Sequence, residues 1–177
     1  VDVMHCVYRY MHICSTHLFL NSQQRYAMLV CALAHDLNHP GLSNNFLIET
    51  SHELALRYND KSPLEHMHSA MLWNLASQDG LQIFHPIAHE HLRDIRKMCI
   101  EMILHTDSVL HFAMIKEVQL FRGVNSEIFD DAYALHQQDP DEYPSMGVVN
   151  CLRNPEARLL FMKSILHTAD LSNCMKP

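Results

Sequence analysis

The chain has 177 residues, 48% of them hydrophobic and 19% charged, with a formal net charge of −7. That balance excludes a disordered or collagen-like polymer, and four glycines with seven prolines, about half the average usage, are too few for a turn-rich all-β architecture, so an all-α fold is expected. The longest apolar run, Tyr26 to Ala34, is far short of the ~20 residues of a membrane span, and an acidic balance without a Lys/Arg cluster argues against a nucleic-acid partner.

In chain order, Val3, Val7, Tyr10, Met11, Cys14 and Leu18 recur at spacings of three or four and predict one amphipathic helix across the first twenty residues. It opens with no capping residue, as if upstream turns were missing. Asn21 with Gln24 has the form of a capping box and starts a second helix to about Asp36, apolar on every side and therefore expected to be central and buried. Pro40-Gly41 stops it. Short helical pieces follow through Arg57. Ser62-Pro63-Leu64-Glu65 then supplies an N-cap, a proline at the first helical position and a glutamate at the third, opening a helix to about Gln78. A further helix is predicted from about His89 to Thr106, with Ile95, Met98, Cys99, Met102 and Ile103 facing inward, continuing or restarting through Phe121. Gln137 to Tyr143 reads as a polar loop. A last helix runs from about Pro155 to Ala169, its apolar side set by Leu159, Leu160, Met162, Ile165 and Leu166. No repeat or long linker divides the chain, so residues 1–177 read as one domain or part of one, a compact multi-helix bundle.

Six cysteines without a C-x-x-C pair or a preceding secretory signal read as reduced core thiols, which implies an intracellular, cytoplasmic setting. Histidine is the anomaly, at 15 of 177. The sharpest local signal is His35-Asp36-Leu37-Asn38-His39-Pro40-Gly41, where an apolar helix ends in an imidazole beside a carboxylate and a second imidazole four residues on. Polar groups there are costly unless a partner satisfies them, and a divalent cation would. A hydrogen-bonded His-Asp pair capping the helix end accounts for the same spacing. His105-Thr106-Asp107 and His167-Thr168-Ala169-Asp170 end two more helices, and helical proteins build metal sites from ligands converging from separate helices. Glu65 and His68, three apart, share a further helix face.

A mixed His/Asp set suits a zinc-type ion at the nitrogen-bearing position and Mg²⁺ or Mn²⁺ at a neighbouring position of carboxylate and water. Two such ions are suited to in-line attack on phosphorus, and they would hold an anionic phosphate that the protein's net charge does not attract.

The ordered set of residues 35 to 68 (HDLNHPGLSNNFLIETSHELALRYNDKSPLEHMH), 105 to 111 (HTDSVLH) and 167 to 173 (HTADLSN) resembles the catalytic domain of the class I 3′,5′-cyclic nucleotide phosphodiesterases, within the HD superfamily of metal-dependent phosphohydrolases. The resemblance covers essentially the whole chain. It implies that His35, Asp36 and Asp170 are ligands of a zinc-type ion, with Asp36 bridging to a magnesium-type ion, and that His39, Glu65, His68 and Asp107 orient waters and support the ligands. It places Thr106 beside the metal waters and Asn173, with Asp36 and Asp170, near the cyclic nucleotide substrate. Ser108 stands where the family often has Met. The family's H-N-x-x-H-A motif, which carries the general acid and the fourth zinc ligand, would precede Val1. Its base-clamping glutamine and stacking phenylalanine would follow Pro177. The 177 residues are therefore expected to be the central part of one catalytic domain, inactive in isolation, whose parent hydrolyses cyclic AMP or cyclic GMP to the 5′-monophosphate. The alternatives are an HD-type phosphohydrolase acting on another nucleotide, and a regulatory helical module without catalysis.

Overall fold

A computed structural model describes residues 1–139 and 144–172. Helix α1 (Asp2–Ile13) buries Val3, Val7 and Met11, one stripe of its surface. It is shorter than the periodicity predicts. Ser15 turns the chain into the left-handed region at φ 47°, and the buried Thr16 hydroxyl donates to the Met11 carbonyl at 3.1 Å, satisfying one of the orphan acceptors at the helix end. A 3₁₀ turn over Thr16–Leu18 follows. Leu18 is consequently at the surface, and Phe19 and Leu20 are buried in its place.

The expected capping box opens α2 (Ser22–Ala34): the Asn21 side chain accepts from the Gln24 amide at 2.8 Å and the Gln24 side chain accepts from the Asn21 amide at 3.1 Å. Ala27, Met28, Cys31, Ala32 and Ala34 are buried, but Tyr26 and Leu33 are exposed, Leu33 by 53%. The helix is central, packed against several neighbours, and only the stripe of Tyr26 and Leu33 is left open, which an all-apolar run does not reveal. Its last helical residue, Ala34, falls two short of the predicted end, and His35 is the C-cap.

Short helices α3 (Asn44–Glu49) and α4 (Glu53–Tyr58) lead into α5 (Pro63–Ala76). Ser62 occupies the N-cap position of α5, but its hydroxyl does not cap; it donates to Asp107 Oδ2 at 2.7 Å. Asn44, from α3, supplies the cap instead, its Oδ1 accepting from the Leu64 amide at 3.0 Å. Glu65 likewise turns to Asn44 rather than back to Ser62.

In α6 (His89–Leu104) all five residues predicted to face inward are buried. The chain then bends by 87° through a 3₁₀ turn, Ser108–Leu110, and restarts as α7 (His111–Val124). Two helices that the pattern did not single out follow. Asn125 alone separates α7 from α8 (Ser126–Gln138), its side-chain amide donating to the Phe121 carbonyl at 2.8 Å. Gln137 and Gln138 therefore belong to a helix rather than to the predicted loop. Ser145 caps α9 (Met146–Leu152), which approaches α8 so closely that a side chain on Gly147 would meet Ile128 at 3.0 Å. The last helix, α10 (Pro155–Leu171), is capped by Asn154 and outlasts its predicted end by two residues.

There is no strand among the described residues. The protein is an all-α bundle whose main core is shared by α1, α2, α6, α9 and α10, with a smaller cluster under α3, α4 and α5 around Leu47, Ala55 and Leu64. Among the described residues no single helix is long and apolar enough to cross a membrane, and the five described cysteines are free. The packing of α2 and α10 against α1 and α6 brings the C-terminal ends of α2 and α10 to the same place.

Candidate metal centre

His35 is the C-cap that follows α2, and Asp36 is the next along the chain. The imidazole is buried, with its Nδ1 donating to the Ala32 carbonyl at 2.9 Å. That bond fixes the tautomer and leaves Nε2 turned outward, where Asp36 Oδ2 lies at 3.4 Å and Asp170 Oδ1, from the last turn of α10, at 3.3 Å. For donors ~2.0–2.1 Å from one tetrahedral cation, the edge between two of them is ~3.3–3.4 Å. Each of these two N–O separations matches that edge, so His35 paired with either carboxylate is spaced for one divalent ion. Burial opposes charge on His35, but the Asp170 and Asp36 carboxylates and the Ala32 carbonyl outweigh it and hold the imidazole above its ordinary value. A proton and a metal ion therefore compete for the same nitrogen.

Asp36 also faces a second imidazole. Its side chain is 64% exposed, and its Oδ1 lies 3.9 Å from Nε2 of the buried His68 on α5. His68 repeats the arrangement of His35: Nδ1 donates to a backbone carbonyl, that of Leu37, at 2.8 Å, leaving Nε2 as an acceptor. Burial keeps His68 below its ordinary value, and the charges of His39 and His35 act in the same sense, against the Leu37 carbonyl and Asp36. His39 stacks on His68 with ring centroids 5.6 Å apart. Its Nδ1 accepts from the Gly41 amide at 3.0 Å, so the proton of the neutral ring sits on Nε2 and His39 is a donor to the site. Asp36, His39 and His68 each offer a ligand-type atom within 4.8 Å of the others. Asp36 is thus common to two groupings, one on each carboxylate oxygen.

Two further carboxylates flank these imidazoles. Burial pushes Glu65 above the usual carboxylate range; the Asn44 amide, donating to Oε2 at 2.9 Å, works against that, and the charges of Asp107 and Asp36 reinforce it. The buried Asp107 accepts from the Val109 amide at 3.0 Å and from the Ser62 hydroxyl at 2.7 Å. Thr106 is turned back on its own helix, its hydroxyl donating to the Ile103 carbonyl at 2.7 Å. Ser108 is exposed at the start of the 3₁₀ turn, and Asn173 lies outside the described residues.

The other two helix-end histidines do not join His35. His105 donates from Nδ1 to the Glu101 carbonyl and accepts on Nε2 from the Lys163 amine at 3.0 Å. His167 is paired with His111 at 2.9 Å, their rings stacked. Sequence reasoning missed the roles of Asn44, Ser62 and His111, whose partners are 20 to 56 residues away along the chain; all three stand inside the quoted motifs, but nothing in the motifs names their partners.

The profile of the family described as 3′5′-cyclic nucleotide phosphodiesterase matches residues 1–177, the whole chain. The chain belongs to that family. It is 34% identical over 151 residues to the 3′,5′-cyclic-AMP phosphodiesterase 4C of Rattus norvegicus, covering 85% of this chain and 25% of the relative. It is 33% identical over 149 residues to the 3′,5′-cyclic-AMP phosphodiesterase, isoform F, of Drosophila melanogaster, covering 84% and 20%. Its fold matches the crystal structure of the phosphodiesterase domain of the RhoPDE fusion protein from the choanoflagellate Salpingoeca rosetta with a TM-score of 0.82 at 30% identity, over 99% of this chain and 49% of that one. The chain therefore spans about half of that phosphodiesterase domain and a quarter or less of these two relatives. The donor atoms spaced for a divalent ion lie at the end of the bundle where α2, α5 and α10 converge.

Proposed function

We propose that this chain forms the metal-holding part of a catalytic domain that hydrolyses a 3′,5′-cyclic nucleotide to the nucleoside 5′-monophosphate, with cyclic AMP the substrate by likeness to its named relatives. The observation that carries this reading is the His35, Asp36 and Asp170 grouping, with separations of 3.3 and 3.4 Å about one nitrogen. These three residues would hold a zinc-type ion, and Asp36 would also serve a magnesium- or manganese-type ion. Bound divalent ions supply Lewis acidity and make water nucleophilic at neutral pH.

The chain's own residues supply the setting for that chemistry. Asp36 and Asp170 neutralise cationic charge beside the phosphate and keep the two positions in register. The carbonyls of Ala32 and Leu37 hold His35 and His68 with Nε2 outward. His39, a donor through Nε2, stabilises an oxygen of water or phosphate on that side. Glu65 and Asp107, steadied by Asn44 and Ser62, accept hydrogen bonds from water and prevent it from drifting. Asn173 contacts the nucleotide in this reading. The proton for the departing O3′ and the clamp on the base come from segments before Val1 and after Pro177. An intracellular setting belongs to the same proposal, supported by the free cysteines.

Release of the 5′-monophosphate by a polypeptide extended on both sides of residues 1–177 tests the proposal. Hydrolysis of cyclic AMP is expected with Zn²⁺ and Mg²⁺ present and is expected to vanish in Asp170→Ala. Full activity in Asp170→Ala at normal metal occupancy would overturn the ligand assignment. Hydrolysis of other phosphorylated nucleotides with cyclic ones untouched would return the wider HD-type alternative.

A further inference from the structure

Between α1, the 3₁₀ turn at 16–18 and the first turns of α2 lies a cavity of about 350 Å³. Its lining includes Tyr8, Met11, His12, His17, Ser22 and Arg25, and no aspartate or glutamate borders it, although the chain as a whole is acidic. Arg25 is partly buried, and its Nε is shielded from solvent and meets no protein acceptor. Among the described residues the arginine and lysine ion pairs are Arg122 with Asp130 and Lys163 with Glu117, so no carboxylate neutralises Arg25. A shielded guanidinium donor without an acceptor is costly, and an anion that receives its hydrogen bond removes the cost. Guanidinium forks match tetrahedral oxyanions. The imidazoles of His12 and His17 and the hydroxyls of Ser22 and Tyr8 border the same space.

We infer that this cavity binds the phosphate group of a small phosphate or phosphate monoester, with Arg25 as its anchor and His12, His17 and Ser22 completing the set. The site is separate from the metal centre. Arg25 and His35 are ten residues apart on and just beyond one helix, or ~15 Å along its axis. It also requires no metal, because every charged partner belongs to the protein.

Titration of the EDTA-treated chain with inorganic phosphate and, separately, with adenosine 5′-monophosphate tests this, at fixed ionic strength with chloride as the exchanged anion. Saturable binding is expected by calorimetry, with the His12 and His17 ring resonances moving in parallel. Arg25→Gln is expected to weaken it at least ~10-fold, and the exposed Arg93→Gln to leave it unchanged. Tighter binding of the nucleotide assigns a monoester, and equal or tighter binding of phosphate assigns the free ion. Binding no stronger than that of chloride, or an unaltered affinity in Arg25→Gln, overturns the inference. Should Arg25→Gln fail to fold, the His12→Gln/His17→Gln double variant decides, since unchanged phosphate affinity there is equally contrary to it.

Discussion

At the scale of single residues the metal centre is a place where burial and charge oppose one another. Glu65 has its carboxyl raised by burial, with Asp107 and Asp36 reinforcing the shift. A raised acid binds its proton more tightly in the folded chain, so its contribution favours folding at low pH and is lost as pH rises from the ordinary glutamate value through the folded one. Glu65→Gln keeps an acceptor for Asn44 but cannot ionise. In EDTA at pH 7 it is expected to melt a few degrees above the wild type, with the difference shrinking towards pH 4; an equal or lower melting temperature at pH 7 would be contrary. His167 behaves in the opposite sense. Burial lowers it, and His111 adds to the shift against the His105 carbonyl and Asp170. Its contribution is present above the ordinary histidine value, ~6.5, and is lost as pH falls through that value towards the folded one. Thermal melts between pH 8 and pH 5 are therefore expected to show a shallower acid loss in His167→Gln than in wild type, by at most ~1.4 kcal/mol per pH unit for one proton. An identical slope in the two proteins would exclude this role. Neither shift was legible in the sequence, because both depend on neighbours from other helices.

At the scale of elements, the start of α5 shows how far local signals reach. Ser62-Pro63-Leu64-Glu65 correctly marks a helix start, since proline at the first position needs no amide partner. The pairing within it is different, because partners from other elements take up its polar groups. Asp107 takes the Ser62 hydroxyl, and Asn44 takes over both the cap and Glu65. Asn44→Ala removes an N-cap acceptor and leaves a partly buried carboxylate without its amide. A loss of ~1–3 kcal/mol is expected in urea unfolding, against ~1 kcal/mol for the purely local cap in Asn21→Ala. Equal losses would mean that the contact with Glu65 adds nothing. Helices α8 and α9 were missed for a related reason: Asn125 continues the chain with a one-residue break, and α9 is short and defined by its approach to α8 at Gly147.

For the whole molecule, the candidate ligands tie together elements far apart in sequence: His35 and Asp36 at the end of α2, His68 within α5 and Asp170 near the end of α10. A cation held there bridges the core helices and binds the folded chain in preference to the unfolded one. Zn²⁺ at ~100 times its dissociation constant is thus expected to stabilise the chain by ~2.7 kcal/mol, seen as a rise in melting temperature that EDTA reverses. Asp170→Asn should abolish most of that rise, and lowering the pH from 7 to 6 should diminish it, because protons compete for His35. A metal-induced shift of the same size in Asp170→Asn would place the ion elsewhere, for instance on the Asp36, His39 and His68 group.

The residue order by itself determined the helical class, the inward face of α6, the Asn21 capping box and the pairing of His35 with Asp36, because these follow from spacing along one chain segment. Its three ordered motifs also carried the family. The tertiary structure alone decided that Leu33 is exposed, that His105 and His167 turn to Lys163 and His111, and that Asn44 serves α5. It also set Asp170 at 3.3 Å from His35. Periodicity states which face of a helix is apolar, but the partner of a polar side chain at a helix end is fixed by how the helices are packed. Residues 35 and 170 become neighbours only once α2 and α10 lie against a common core.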